Sequence, residues 1–164
     1  WGLIEPQEDK FDFSMLDEQL QWAERNNQKL VYLLEAGPAH AVGVAWLIDK
    51  LQASGECMGN PEGVQLRDPS PLSPMYRKYL THYIENVVTY LKNHPLSHCI
   101  YGYNNGCEWW FPMSSSYGKL EHEDFRKYLQ TKYSTLENLN EIWGILKQDW
   151  NVISAPVLIN EGNI

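Results

Sequence analysis

The fold is decided by residues 97–110, which read SHCIYGYNNGCEWW. Residues 100–103 are a short apolar and aromatic run, which predicts a buried strand. A turn rich in Asn and Gly follows, and then come Glu108, Trp109 and Trp110. A carboxyl group at a strand end between aromatic side chains suits glycosidic bond cleavage, because a partly dry setting lets the acid hold a proton near neutral pH. The alternative is a solvated Glu108 beside core tryptophans, since Glu is mostly exposed and Trp mostly packed.

The chain on either side of this stretch alternates helices with apolar runs. Residues 30–34 (LVYLL) are continuously apolar, which is typical of a strand buried on both faces, and the run ends at Glu35. Ser14 is predicted to cap a first helix that ends near Asn26, with Asp17 completing a capping box. Apolar periodicity predicts three further helices, which start at Pro74, at Glu121 and after Thr135. Residues 1–13 and 52–74 are predicted to be loops.

Two strands that are each preceded by a helix are expected to pair in parallel through right-handed crossovers. The fold class predicted is therefore α/β. Folds of this class place their sites at the carboxyl ends of the strands, where this sequence has Glu35 and Glu108. The phosphate-binding patterns GxGxxG and GxxxxGK[ST] are absent from the sequence, which argues against a nucleotide site.

The composition of the chain argues against two classes of binding partner. The 164 residues are enough for one domain, and the 43% of hydrophobic residues indicates a globular protein. Thirteen basic and 21 acidic residues give a net charge of −8, which argues against nucleic acid and anionic membranes. No apolar run approaches the ~18 residues of a membrane-spanning helix. We therefore expect neither nucleic acid nor a membrane as a partner.

The cysteines and histidines give no metal pattern along the chain. The three cysteines, Cys57, Cys99 and Cys107, include no CxxC pair, and the five histidines lack ligand spacing. We expect no metal and no cofactor, and we interpret Cys99 as a small core residue.

Five segments in order resemble the clan-A glycoside hydrolases, most closely the family 42 β-galactosidases. Residues 1–17 (WGLIEPQEDKFDFSMLD) resemble the segment "W…EP.eG.fDFs.LD" of that family. Residues 125–144 (FRKYLQTKYSTLENLNEIWG) resemble its "F..WL..kYgt...LN.aWGt" almost position by position. The other three are residues 45–47 (AWL), 73–79 (SPMYRKY), and His94-Pro95 with residues 100–103 (IYGY).

The resemblance implies a partial (β/α)₈ TIM barrel with parallel strands, covering roughly the second to fourth βα units. Residues 1–164 would then be part of a single catalytic domain of a retaining β-glycosidase that hydrolyses β-galactosides or related glycosides. Alignment from Gly102 places the acid/base Glu of the family on Glu108. The Asn that precedes it in the family falls on Cys107, and Asn104 or Asn105 is the candidate replacement.

The resemblance also suggests substrate contacts. Trp109 and Trp110 would offer flat surfaces for a sugar ring. Arg67 lies near a position where the family carries a substrate-binding Arg. Glu35 is either a substrate contact or part of a structural salt bridge.

The predicted site is incomplete within this chain. A retaining mechanism needs two carboxyl groups about 5–5.5 Å apart, and the family takes its nucleophile from the seventh strand. The partners expected are thus a carbohydrate substrate and further chain segments, or an oligomer, that complete the barrel. The alternative function is a non-catalytic carbohydrate-binding or scaffold protein built from a partial barrel, which Cys107 and the missing nucleophile both favour.

Overall fold

The computed structural model describes residues 1–34, 44–104 and 116–156. Two short 3₁₀ turns, Ser97–Cys99 and Trp150–Val152, accompany the regular elements of these ranges. The regular elements are α1 (Ser14–Arg25), β1 (Leu30–Leu33), α2 (Ala45–Ser54), β2 (Cys57–Gly59), β3 (Gln65–Pro69), α3 (Pro74–Asn93), β4 (Ile100–Asn104), α4 (Lys119–Tyr133) and α5 (Leu136–Trp143).

Strands β1 and β4 form a parallel pair, as predicted. Val31 lies opposite Gly102, and Leu33 lies opposite Asn104. The N–H of Leu34 donates to the carbonyl of Asn104 at 2.8 Å, which extends the pairing one step beyond β1. Helix α3 lies in the long connection between the two strands, so the unit is a βαβ crossover.

The prediction that the strand at residues 30–34 is buried on both faces is wrong for this chain, because only one face of the parallel pair is covered by described elements. In β1, Tyr32 is 8% exposed whereas Val31 is 58% exposed, and in β4 Tyr101 is 80% exposed. Helices α1 and α3 cover the buried face with the side chains of a continuous core: Leu16, Leu20, Ala23, Tyr83, Val87 and Leu91. The other face carries apolar side chains that no described element covers.

The loop predicted over residues 52–74 is also wrong. The end of α2 is followed by an antiparallel hairpin in which Cys57 lies opposite Pro69 and Gly59 lies opposite Gln65. Asn60 closes its turn, because its Oδ1 accepts the N–H of Val64 at 2.8 Å. Strand β2 has three residues, which is too short for an alternating pattern to be visible in the sequence.

The N-termini of three helices show which residues act as caps. Ser73 caps α3 through a 2.8 Å hydrogen bond from the N–H of Tyr76, and Thr135 caps α5 through one of 3.2 Å from the N–H of Asn138. The capping role predicted for Ser14 is wrong. Ser14 is the first helical residue of α1, and its N–H donates to Asp12 Oδ1 at 3.0 Å. Asp17 does not close a capping box, because it accepts a hydrogen bond from Tyr90 of α3 instead.

Two further predictions are confirmed. A third, on membrane-spanning helices, can be tested only for the residues that the structure describes. Residues 1–13 form neither a helix nor a paired strand, apart from one bridge between Gln7 and Lys10. Cys99 is a core residue with 2% exposure. Among the described helices, none combines the length and the apolar character that a membrane crossing requires.

Candidate active site

The carboxyl ends of β1 and β4 form the edge at which the sequence predicts a site. The hydrogen bond between Leu34 and Asn104 joins the last described residues before two segments, 35–43 and 105–115. Both segments are therefore attached to the same edge of the parallel pair. Five of the six predicted site residues belong to these segments and lie outside the described residues: Glu35, Asn105, Glu108, Trp109 and Trp110.

Arg67 is the one of these six residues that the structure places, and Asn104, the other candidate for the position of the family's Asn, is the last residue of β4. Arg67 belongs to β3, and its guanidinium lies 3.4 Å from Asp49 Oδ1 and 3.3 Å from Gln52 Oε1. Both partners are on α2, and the side chains of Arg67 and Asp49 are 56% and 68% exposed. An exposed ion pair of this kind holds a side chain weakly. The structure thus leaves the Arg67 guanidinium accessible, and its contact with substrate stays a prediction.

Glu5 is a buried carboxyl group that sequence reasoning missed. It is 1% exposed, and its two oxygens accept from the indole N–H of Trp1 at 2.7 Å and from the N–H of Asp9 at 3.1 Å. Its carbonyl accepts the indole N–H of Trp46 at 3.1 Å. Trp1 in turn stacks on Tyr83 of α3, with ring centroids 4.7 Å apart. The spacing of four between Trp1 and Glu5 was the available signal, because one helical turn brings such residues together.

A groove of about 480 Å³ runs along β1 beside Trp1. Side chains of the N-terminal segment, α1, β1 and α3 line it, including Leu3, Met15, Leu33 and Tyr83. Among the described residues that line it, none is an Asp, Glu, His, Lys or Arg. Its apolar walls suit a packed element of the protein better than a sugar.

Other described carboxyl groups near this end of the chain have structural partners. Glu8 pairs with Lys50 and accepts the Tyr79 hydroxyl at 2.7 Å, and the hydrogen bond from Lys50 is the main reason that the pKa of Glu8 is lowered. Glu56 Oε2 accepts from the Ser73 hydroxyl at 2.6 Å at the start of α3. The shift of the Glu8 pKa is thus opposite to the one that a general acid needs.

A parallel strand pair with helices over one face is a unit of α/β folds, and comparison with known proteins gives its family. The model of the glycoside hydrolase family 42 β-galactosidases matches residues 1–163, so this chain belongs to that family. The β-galactosidase BgaA of Planococcus sp. (strain 'SOS Orange') is 30% identical over an alignment of 172 residues with gaps, which covers 98% of this chain and 24% of BgaA. A β-galactosidase of Arthrobacter sp. is 29% identical over an alignment of 151 residues with gaps, which covers 88% of this chain and 20% of that protein.

A solved structure agrees with the family match. The crystal structure of β-galactosidase from Bacillus circulans sp. alkalophilus superimposes with a TM-score of 0.72 at 26% identity, covering 98% of this chain and 24% of that one. The described architecture is therefore part of a (β/α)₈ barrel, as the resemblance implied. The chain spans about a quarter of the length of these relatives.

Proposed function

We propose that this chain is part of the single barrel domain of a retaining β-glycosidase that hydrolyses β-galactosides or related glycosides. The observation that supports this most is the family match over residues 1–163, whose curated relatives are named β-galactosidases. The parallel pair adds to it, because its carboxyl edge leads directly into the segment that holds Glu108. Barrel enzymes carry their chemistry at that edge.

In this proposal Glu108 protonates the leaving oxygen and then removes a proton from the attacking water. Trp109 and Trp110 provide apolar platforms for the sugar, while Asn105, Glu35 and Arg67 are candidate contacts for its hydroxyl groups. The nucleophile would come from a further segment and lie about 5–5.5 Å from the Glu108 carboxyl group.

The uncovered face of the sheet supports a barrel that is completed by further segments or an oligomer. Val31 and Tyr101 are 58% and 80% exposed, and the groove along β1 is apolar. Exposed apolar surface and an unpaired strand edge favour association with other strands. A closed barrel would cover both at once.

The test is Glu108→Gln in the complete protein, with Glu85→Gln as the matched control because Glu85 is an exposed residue of α3. We expect kcat/KM for alkyl β-galactosides to fall by about 10²–10⁴-fold, the range for loss of a general acid. Activated aryl galactosides should lose less, since their leaving groups need little protonation. Unchanged turnover of alkyl substrates would refute the role of Glu108.

Cys107 favours a second function, which is carbohydrate binding without hydrolysis. It stands where the family has the Asn that helps to hold the substrate hydroxyl. Saturable binding of galactosides by calorimetry, with no release of product by the complete protein, would support this alternative. Turnover by the unaltered protein would reject this alternative. A gain of turnover in Cys107→Asn would show that the family's activity was lost when Cys replaced Asn at this position.

A further inference from the structure

Three side chains that commonly bind metals meet at the amino end of β4. Glu24 is in the last turn of α1, while His98 and Cys99 are in the 3₁₀ turn that precedes β4. Glu24 Oε2 lies 2.8 Å from His98 Nε2 and 3.2 Å from Cys99 Sγ. One oxygen, one nitrogen and one sulfur atom, all within 4.8 Å of one another, thus face a common point.

These separations are close to those of a metal site. With Zn–S about 2.3 Å and Zn–N and Zn–O about 2.0–2.1 Å, the ligand atoms of a tetrahedral site lie about 3.3–3.6 Å apart. The observed 2.8 and 3.2 Å are a few tenths of an ångström shorter, as expected where protons occupy the space between the atoms. Small rotations of two exposed side chains, Glu24 and His98, would open the distances to the metal values.

The surroundings have charges of both signs. Glu24 lies at the carboxyl end of α1, where the helix dipole favours a cation. Glu24 Oε2 accepts from both His98 Nε2 and Cys99 Sγ, so one carboxylate oxygen faces both of the other ligand atoms. Lys29 is the opposing cation, and its ammonium donates to the carbonyl of His98 at 2.6 Å. Its amine is therefore held on a backbone oxygen and is not inserted between the three ligand atoms.

We propose that Glu24, His98 and Cys99 bind a divalent cation of the zinc type, with water as the fourth ligand. The thiol of Cys99 releases its proton to solvent on binding, and the imidazole of His98 binds through its neutral Nε2. The ion connects the end of α1 to the start of β4. Because this is the opposite end of the sheet from the segment that holds Glu108, the site is structural and its test is independent of the enzymatic proposal.

The test is Co²⁺ titration of the complete protein after treatment with a chelator. We expect one equivalent to produce a thiolate-to-cobalt absorption band in the near ultraviolet and d–d bands in the visible region, and Zn²⁺ to remove both. The variants E24Q, H98Q and C99S should each weaken binding at least tenfold, and C99S should abolish the near-ultraviolet band. Zn²⁺ should also raise Tm in the unaltered protein but not in H98Q.

Two matched controls keep the test specific. C57S alters a buried thiol of β2, and H82Q alters a part-exposed histidine that lies 2.9 Å from Asp9, so both should retain the band and the affinity. If C99S does not fold, the exposed ligands decide the result through E24Q and H98Q. The proposal is refuted if no thiolate band forms, if C107S abolishes the band while C99S keeps it, or if both E24Q and H98Q bind Co²⁺ like the unaltered protein.

Discussion

Replacing Glu5 should destabilise the protein, because its carboxylate accepts hydrogen bonds from two N–H groups, those of the Trp1 indole and the Asp9 backbone. In Glu5→Gln the side chain keeps one acceptor oxygen, and its amide group faces either the Trp1 indole N–H at 2.7 Å or the Asp9 N–H at 3.1 Å. A buried donor without a partner costs about 1–3 kcal/mol. We therefore expect Glu5→Gln to lower the free energy of unfolding by about 1–3 kcal/mol.

Glu5→Ala should cost more, because both donors lose their partner. Both hydrogen bonds are part-buried, so the loss of each is placed at about 1–2 kcal/mol. One buried methylene adds about 0.8 kcal/mol. The total expected is about 3–5 kcal/mol, and Asp9 also loses a contact that holds its backbone at φ 59°.

Urea unfolding followed by tryptophan fluorescence measures both values. Glu18→Gln is the matched control, because Glu18 is exposed on α1 and should change stability by no more than about 0.5 kcal/mol. The reasoning is refuted if Glu5→Gln is as stable as Glu18→Gln, or if Glu5→Ala is no less stable than Glu5→Gln.

Three further predictions concern the core, a helix cap and alkaline pH. Leu91 is fully buried, so Leu91→Ala should cost about 2–5 kcal/mol in urea unfolding. Thr135→Ala removes the cap of α5 and should cost about 1 kcal/mol in the same measurement. Burial raises the pKa of Tyr32 to about 12, and the hydrogen bond to Asp17 raises that of Tyr90 to about 12. The unfolded chain loses these protons near pH 10, so the stability that they contribute is present below about pH 10 and is lost as the pH rises toward 12.

Each of these predictions has its own control. Leu146 is 95% exposed, and Leu146→Ala should leave stability nearly unchanged. Thr131→Ala alters a threonine inside α4, where alanine is the better helix former, so it should not destabilise. For the tyrosines, ultraviolet titration should show Tyr32→Phe lacking one group that ionises late. The assignment is contradicted if either Tyr32→Phe or Tyr90→Phe keeps as many late-ionising groups as the unaltered protein.

Helices α1, α3, α4 and α5 were predictable because their apolar patterns are local, whereas α2 was not predicted. Leu16, Leu20 and Ala23 recur on one face of α1, and Pro74 with Ser73 marks the start of α3. The prediction that Ser14 caps α1 was wrong because the N-cap position depends on the backbone conformation of a single residue. In the structure Phe13 is the N-cap residue, and it makes no side-chain capping hydrogen bond. The β2–β3 hairpin was not predicted because its strands, of three and five residues, carry too few side chains for an alternating pattern to be visible in the sequence.

The side-chain clusters could not be found from spacing along the chain. Glu24 is 74 residues from His98, and only the packing of α1 against the turn before β4 brings them together. Searches for metal patterns examine short intervals, so they miss a site whose ligands come from two distant elements. Glu5 was hidden for a different reason, since it lies in a polar stretch that otherwise indicates a solvated loop.

The two faces of the sheet explain why one sequence prediction and the structure differ. The run at residues 30–34 has the apolar continuity of a strand covered on both sides, but α1 and α3 cover only the side that carries Tyr32 and Leu34. On that side Leu20 and Leu91 are fully buried in the core that α1 and α3 form with β1. The inner layer needs side chains from other strands, and this chain spans about a quarter of its relatives. The exposed Val31 is thus the residue whose burial a completed barrel should restore, which links the apolar sequence pattern to the assembly that we propose.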